Sequence, residues 1–166
     1  MHYKGNIWSA LVSGLSDCLW APWGRNVGDV FAGGYEGTIL NYDGNSWSAM
    51  DSGTRKSLRG VWGSNGSDVF AVGEDNLILH YNGSNWSTMP VVPYGTFCGI
   101  WGDSNDRIFC VGSLYDSITG TIMYFDGNQW SGINMVTAAW LNAIWGSSKS
   151  DVFTVGDGGT ILHYNG

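Results

Sequence analysis

Apolar and polar positions along the chain alternate in short runs, punctuated by Gly, Asn, Asp and Ser. In residues 58–89, LRGVWGSNGSDVFAVGEDNLILHYNGSNWSTM, four such runs are rich in β-branched and aromatic residues. That pattern predicts a four-stranded antiparallel meander. Strand A is read as Leu58–Trp62, strand B as Asp68–Gly73, strand C as Leu77–Tyr81 and strand D as Asn85–Met89. The C–D connections Asp43-Gly44, Asn82-Gly83 and Asp126-Gly127 suit type I′ hairpins, which need positive φ at both central residues. Across the A–B hairpin Trp62 is read as facing Asp68, so that Gly60 faces Phe70 and Cys98 faces Cys110. The matching small residues Ala21, Gly99 and Ala143 then face Phe31, Phe109 and Phe153, an aromatic covering each missing side chain.

The unit is written four times. Trp-Gly pairs at Trp23, Trp62, Trp101 and Trp145 recur 39, 39 and 44 residues apart, and Trp8, Trp47, Trp86 and Trp130 keep the same rhythm. The longer step comes from extra residues between Gly112 and Thr121. A fixed period of this size marks a repeat architecture, in which the recurring tryptophans are scaffold. Strands A and B are apolar on both alternations: Val61 and Val69 lie on one face, Leu58, Phe70 and Val72 on the other. A sheet apolar on both faces must be covered on both. Blades stacked around an axis achieve this, so the expected fold is an all-β, four-bladed β-propeller.

The opening residues His2 to Ser9 match His80 to Ser87, the end of a strand C followed by a strand D, whereas Ile161 to Gly166 completes a strand C and lacks its D. The N-terminal strand around Trp8 is therefore expected to pair with the C-terminal blade and close the ring, which also removes sheet edges. The chain reads as one domain over 1–166, with units near 19–50, 58–89, 97–135 and 141–166 plus 1–11. The alternative is half of an eight-bladed ring made by two chains.

The consensus W-G-S-x-x-x-D-V-F-A-V-G-x-x-G-T-I-L-H-Y-N-G-x-x-W resembles the repeats of kelch-like and Asp-box-like propellers of bacterial surface and secreted proteins. The resemblance implies the fold and an extracellular or cell-surface setting, but no activity, since propellers host many. Asp43-Gly44-Asn45-Ser46-Trp47 matches an Asp box only in part, and the Gly-His and Trp-Asp dipeptides of WD-type propellers are missing.

Composition narrows the function. With 26 Gly and a net charge of −7 the chain has no basic stripe, which disfavours nucleic acid. No apolar run approaches the ~20 residues of a membrane span, and the start MHYKGNIW carries no apolar segment of a signal peptide. A leader could have been removed, or the chain could be part of a longer protein. Three Cys is an odd count, which suits small buried hydrophobes better than a disulfide framework.

No GxSxG, HExxH, P-loop or CxxC motif occurs. His80 and His163 recur in strand C on separate blades, which reads as scaffold rather than a metal site. Asp29, Asp68 and Asp151 recur at the start of strand B, where Asp can bond turn N–H groups. Glu74, Asp75 and Asp157 read as solvated turn residues. The chain is thus read as non-enzymatic and without a cofactor, with an axial cation held by carbonyls or Asp side chains left open.

In a meander the A–B and C–D turns share one end of the blade, and here they are short and uniform. The B–C and D–A connections at the other end differ from unit to unit and carry the insertion Ser113–Gly120. Variable loops on a rigid scaffold are the usual seat of recognition. The candidate ligand-binding residues there are Tyr35, Tyr94, Tyr115 and Trp140, with Arg55 and Lys56 as charges. One strand-A slot also differs in every unit: Trp20, Arg59, Cys98 and Asn142. Aromatics beside Arg and Asn suit a glycan or protein ligand. The alternative is a structural propeller piece of a surface protein or assembly, with no small ligand.

Overall fold

The computed structural model describes residues 2–4, 7–91, 95–115, 119–133 and 137–166. A short hairpin of β1 (His2–Lys4) and β2 (Ile7–Ser9) precedes four sheets. Blade one holds β3 (Leu19–Asn26), β4 (Asp29–Gly34), β5 (Ile39–Tyr42) and β6 (Trp47–Met50). Blade two holds β7 (Leu58–Asn65), β8 (Asp68–Gly73), β9 (Ile78–Tyr81) and β10 (Trp86–Thr88). Blade three holds β11 (Gly95–Ser104), β12 (Arg107–Leu114), β13 (Gly120–Phe125) and β14 (Trp130–Ile133). Blade four has three strands, β15 (Leu141–Ser148), β16 (Asp151–Gly156) and β17 (Ile161–Tyr164). Each sheet is an antiparallel meander, and the A strands β3, β7, β11 and β15 pack side by side as the innermost row. The chain is a four-bladed β-propeller.

The packing explains the Trp-Gly repeat. A Cβ on Gly63 would stand 2.8 Å from the Trp23 ring, one on Gly102 2.8 Å from Trp62, and one on Gly146 2.7 Å from Trp101. Trp23, Trp62 and Trp101 thus reach forward onto the next blade, and Gly63, Gly102 and Gly146 leave room for the tryptophan behind. A second row repeats the step. Phe31 packs on Tyr81 and Trp86 at 6.0 and 6.3 Å, Phe70 on Phe125 and Trp130 at 5.7 and 6.5 Å, and Phe109 on Tyr164 at 5.8 Å. Two buried clusters result. One joins Phe31, Ile39, Leu58, Val61 and Leu79 between blades one and two; the other joins Phe70, Ile78, Ile100, Cys110 and Met123 between blades two and three. Each such burial contributes about 1.5–3 kcal/mol.

The A–B register differs from the one read in the sequence. Asn65 faces Asp68 across a two-residue turn, Trp62 faces Phe70 and Gly60 faces Val72. Strand A runs on past Trp62, and it carries two extra residues, Arg59 and Ser64, that the ladder skips. These bulges shift the alignment that an uninterrupted ladder would give. In blade three Ile100 faces Cys110, while Cys98 occupies the bulge. Cys98 and Cys110 are both free thiols and are not opposed.

The C–D turns are also built differently. Tyr81 pairs with Trp86, leaving a four-residue loop, and positive φ falls on Gly44, Gly83 and Gly127 alone, not on the residue before each. That residue serves through its side chain. Asp43 Oδ1 accepts N–H bonds from Asn45 and Ser46 at 2.8 and 2.9 Å, Asn82 Oδ1 from Ser84 and Asn85, and Asp126 Oδ1 from Asn128 and Gln129. These are Asx turns.

The expected seam takes another form. β2 pairs with β1, in the register Tyr3↔Trp8, and β17 ends blade four without a fourth strand. Two short strands close in sequence satisfy each other's backbone groups locally, which competes with pairing to a distant edge. Among the described residues, β15 does not pack on β3 as the other neighbouring A strands pack on each other.

Gly102→Ala should lower stability by about 1–3 kcal/mol in urea unfolding, because the added methyl meets the Trp62 ring and the Arg107 carbonyl. A second expectation concerns acid. The N–H donors of Ser46 and Asn45 hold the Asp43 carboxyl below its ordinary value, and those of Gln129 and Asn128 do the same for Asp126. A depressed folded-state pKa gives stability that is complete above the ordinary Asp value and disappears as pH falls through the folded value. The melting temperature should therefore drop below about pH 4, and less steeply in the Asp43→Asn, Asp126→Asn double variant, which keeps the acceptors and loses the titration.

Candidate functional site

The bulge near the start of each A strand defines the site. The residues skipped there are Trp20, Arg59, Cys98 and Asn142, one from each blade and each of a different type. A bulge releases its residue from the alternation of the pleat and re-aims the side chain. The chain just ahead of strand A also anchors the B–C turn. Tyr35 N–H donates to the Cys18 carbonyl at 3.0 Å, Glu74 N–H to Ser57 at 3.1 Å and Asp157 N–H to Trp140 at 2.9 Å. This close approach requires the preceding residue to be Gly: a Cβ on Gly34, Gly73 or Gly156 would collide with those same carbonyls.

The clamp sets each turn residue beside its bulge residue. Trp20 meets Tyr35 edge-on at 6.4 Å between ring centroids. The Arg59 guanidinium donates to Glu74 Oε1 at 2.8 Å, and Asn142 Nδ2 donates to Asp157 Oδ1 at 2.7 Å. Neighbouring pairs touch as well. The Arg59 guanidinium carbon lies 5.6 Å from the centre of the Trp20 ring, a cation–π contact. Burial pushes the Cys98 thiol up, while Arg59 draws it down and Asp157 raises it, so charges from blades two and four both act on Cys98. Arg59, through its hydrogen bond, holds the Glu74 carboxyl below its ordinary range. The B–C and D–A end of the innermost strands thus carries, blade by blade, an aromatic pair, an ion pair, a thiol and an amide–carboxylate pair.

Outside this row the remaining candidates separate. The Tyr115 hydroxyl donates to Asp75 Oδ1 at 2.7 Å and accepts from Thr96 Oγ1 at 3.2 Å. This ties the insertion of blade three to the B–C turn of blade two, where Lys56 Nζ also approaches Asp75 at 3.6 Å. Trp140 is half exposed just ahead of β15, and Arg55 is exposed on the β6–β7 connection, apart from the paired side chains. Tyr94 lies outside the described residues. Asp75 and Asp157 are exposed and Glu74 is partly exposed, in keeping with the reading of them as solvated turn residues, and they also partner Tyr115, Asn142 and Arg59, which that reading did not foresee. The signal was a constant offset of 15 residues from bulge to turn: 20 to 35, 59 to 74 and 142 to 157.

At the opposite end the histidines are engaged with the scaffold. His80 Nε2 lies 2.7 Å from Asp68 Oδ1 with its ring stacked on Phe70, and His163 repeats this with Asp151 and Phe153. Ser64 Oγ donates to Asp68 Oδ2 at 2.5 Å, and Ser147 donates to Asp151. Those Asp side chains therefore bond side chains rather than the turn N–H groups expected of them. Among the described residues, no three His, Cys, Asp or Glu come together as a metal cluster, and no helix is long and apolar enough to cross a membrane.

The three thiols should differ sharply toward a maleimide under native conditions. Exposed Cys18 should react first, half-buried Cys98 more slowly, and Cys110, whose thiol is pushed well up by complete burial, only on unfolding. Mass spectrometry of the labelled chain reads this order.

No protein-family model matches the chain, and no curated protein is significantly similar to it.

Proposed function

We propose that the chain is a non-enzymatic recognition module, with a glycan or protein ligand docking on the end of the propeller that carries the B–C and D–A connections. The observation that supports this most is the row Trp20–Tyr35, Arg59–Glu74, Cys98 and Asn142–Asp157, in which four equivalent positions carry four different chemistries. A scaffold slot repeats its residue, as the Trp-Gly pairs do; a slot that differs in every blade answers to something other than blade packing. Half-exposed Trp20 and Tyr35 offer apolar ring faces, while Arg59, Asn142 and the two carboxylates offer directed hydrogen bonds. That mixture suits a sugar face or a polar peptide segment. The kelch-like and Asp-box-like resemblance of the repeats agrees with a binding role at an extracellular or cell-surface location.

Catalysis fits the site less well. A general acid needs a raised pKa near working pH, whereas Glu74 is held low and ion-paired by Arg59. Asp157 is engaged by Asn142. The second reading, a structural propeller piece, draws on a different observation, the exposed apolar face of blade four.

Glycan-array and pull-down measurements separate the two readings. Under the recognition reading, Trp20→Ala and Asn142→Ala, at exposed positions that leave the fold intact, should each weaken a detected ligand about fivefold or more. Absence of any signal for the unaltered protein in both assays would leave only the structural reading.

A further inference from the structure

The three blade-to-blade interfaces are copies of one interface, and the chain carries its two unused halves at its ends. The forward half lies on blade four. Trp145 is 61% exposed where Trp62 is 9%, and Ile161 is 68% exposed where Ile39 and Ile78 are 1% and 0%. Phe153 and Val155 on the same face are exposed too, while Phe31, Phe70 and Phe109 are all buried. The receiving half lies on blade one. Gly24 occupies the position of Gly63, Gly102 and Gly146, yet the atoms nearest to it belong to Val30 and Asp29 of its own blade rather than to a tryptophan. Around it runs an open hollow of about 470 Å³, lined by Pro22, Gly24, Val30, Tyr42 and Trp47 among others.

We infer that these faces dock on a second copy of this chain: Trp145 of one copy stacks on Gly24 of the other, and two identical seams close a ring of two chains. The fitting surfaces are specified residue by residue. Trp145 repeats Trp23, Trp62 and Trp101; Gly24 repeats the glycines that receive them; Phe153 would meet Tyr42 and Trp47 as Phe31 meets Tyr81 and Trp86. The chain's own blade one does not occupy the position of a fifth blade, because β15 and β3 do not pack as their neighbours do. A head-to-tail contact of this kind closes when the rotation returns on itself, and two copies are the smallest set that leaves no half uncovered.

A second feature favours the same partner. Between blades three and four lies an apolar hollow of about 230 Å³, lined by Phe109, Ile133, Ile144, Leu162 and Tyr164 among others. In the two earlier interfaces a strand-D tryptophan stands at this place, Trp86 against Phe31 and Trp130 against Phe70. By spacing, β2 is the strand D immediately ahead of blade one: Trp8 precedes Leu19 by 11 residues, as Trp47 precedes Leu58. Its register with β1 matches that of β10 with β9. A second copy that docks its blade one on blade four therefore carries its own Trp8 to this hollow.

Light scattering of the full chain after size exclusion tests the inference. The expected mass is twice the 18.0 kDa of one chain. Trp145→Arg, and independently Ile161→Lys, should weaken the dimer about thirtyfold or more with an unchanged far-ultraviolet spectrum; both residues are exposed in the single chain, and either variant serves if the other fails to fold. A monomer of 18.0 kDa at tens of micromolar would overturn the inference. So would an open series of larger species, or a dimer that both variants leave intact.

Discussion

The forward contact of one tryptophan on the next blade's glycine holds this molecule together. It needs a large flat ring on one side and no Cβ on the other, which is why Trp and Gly are consecutive in every unit: one residue makes the contact ahead, the other accepts the contact behind. Successive residues of a strand face opposite sides, so one dipeptide serves both faces of a blade. The phenylalanine of strand B, reaching the strand-C and strand-D aromatics of the next blade, repeats this logic one strand further out. Stability in such an array is carried by nearest-neighbour interfaces. The molecule therefore depends more on how blades meet than on any single blade.

Much of this was legible in the sequence because a period is hard to hide. Four strands per unit, apolar character on both faces, and the preference for a ring of blades followed from the spacing of Trp, Phe and Gly. What was not legible was anything that shifts a ladder by one residue. Arg59 and Ser64 look like ordinary strand residues, yet each is skipped; strand A also runs past Trp62 to a two-residue turn after Asn65, which together with the skip at Ser64 sets Trp62 against Phe70 rather than Asp68. Composition is equally silent on which of two roles a turn residue plays. Asp43 before Gly44 satisfies the rule for a type I′ hairpin, yet it acts through its carboxylate while only the glycine takes positive φ. The opening strand posed a third difficulty: a sequence that matches strand D names its kind of neighbour but not which neighbour, and β2 lies against β1.

The candidate site was half legible for the same reason. Trp20, Arg59, Cys98 and Asn142 stood out as the strand-A slot that differs between units. That the solvated acids Glu74 and Asp157 also partner them was not legible, because nothing local in the sequence shows that the B–C turn is bonded back to the residue preceding strand A. The glycines ending strand B were the visible trace of that clamp. They permit a backbone approach too close for a side chain, and the next residue is delivered to the bulge as a consequence.

The two ends of the propeller thus carry different constraints. At the A–B and C–D end, side chains satisfy the scaffold: His80 with Asp68, His163 with Asp151, Asp43 and Asp126 with their turns. Changing one of them leaves a polar group without its partner. At the B–C and D–A end, the first bulge takes one residue per blade out of both packing faces, so its identity is released from the demands of the repeat. A position in the pleat must fit the next blade, as Gly60 does against Ile100; a position in the bulge need only be compatible with the turn clamped beside it. That separation lets a sequence repeated for packing carry four unlike side chains at one mouth. It also explains why the differences fall on Trp20, Arg59, Cys98 and Asn142 and not one residue later, where Ala21, Gly60, Gly99 and Ala143 stay small in every blade.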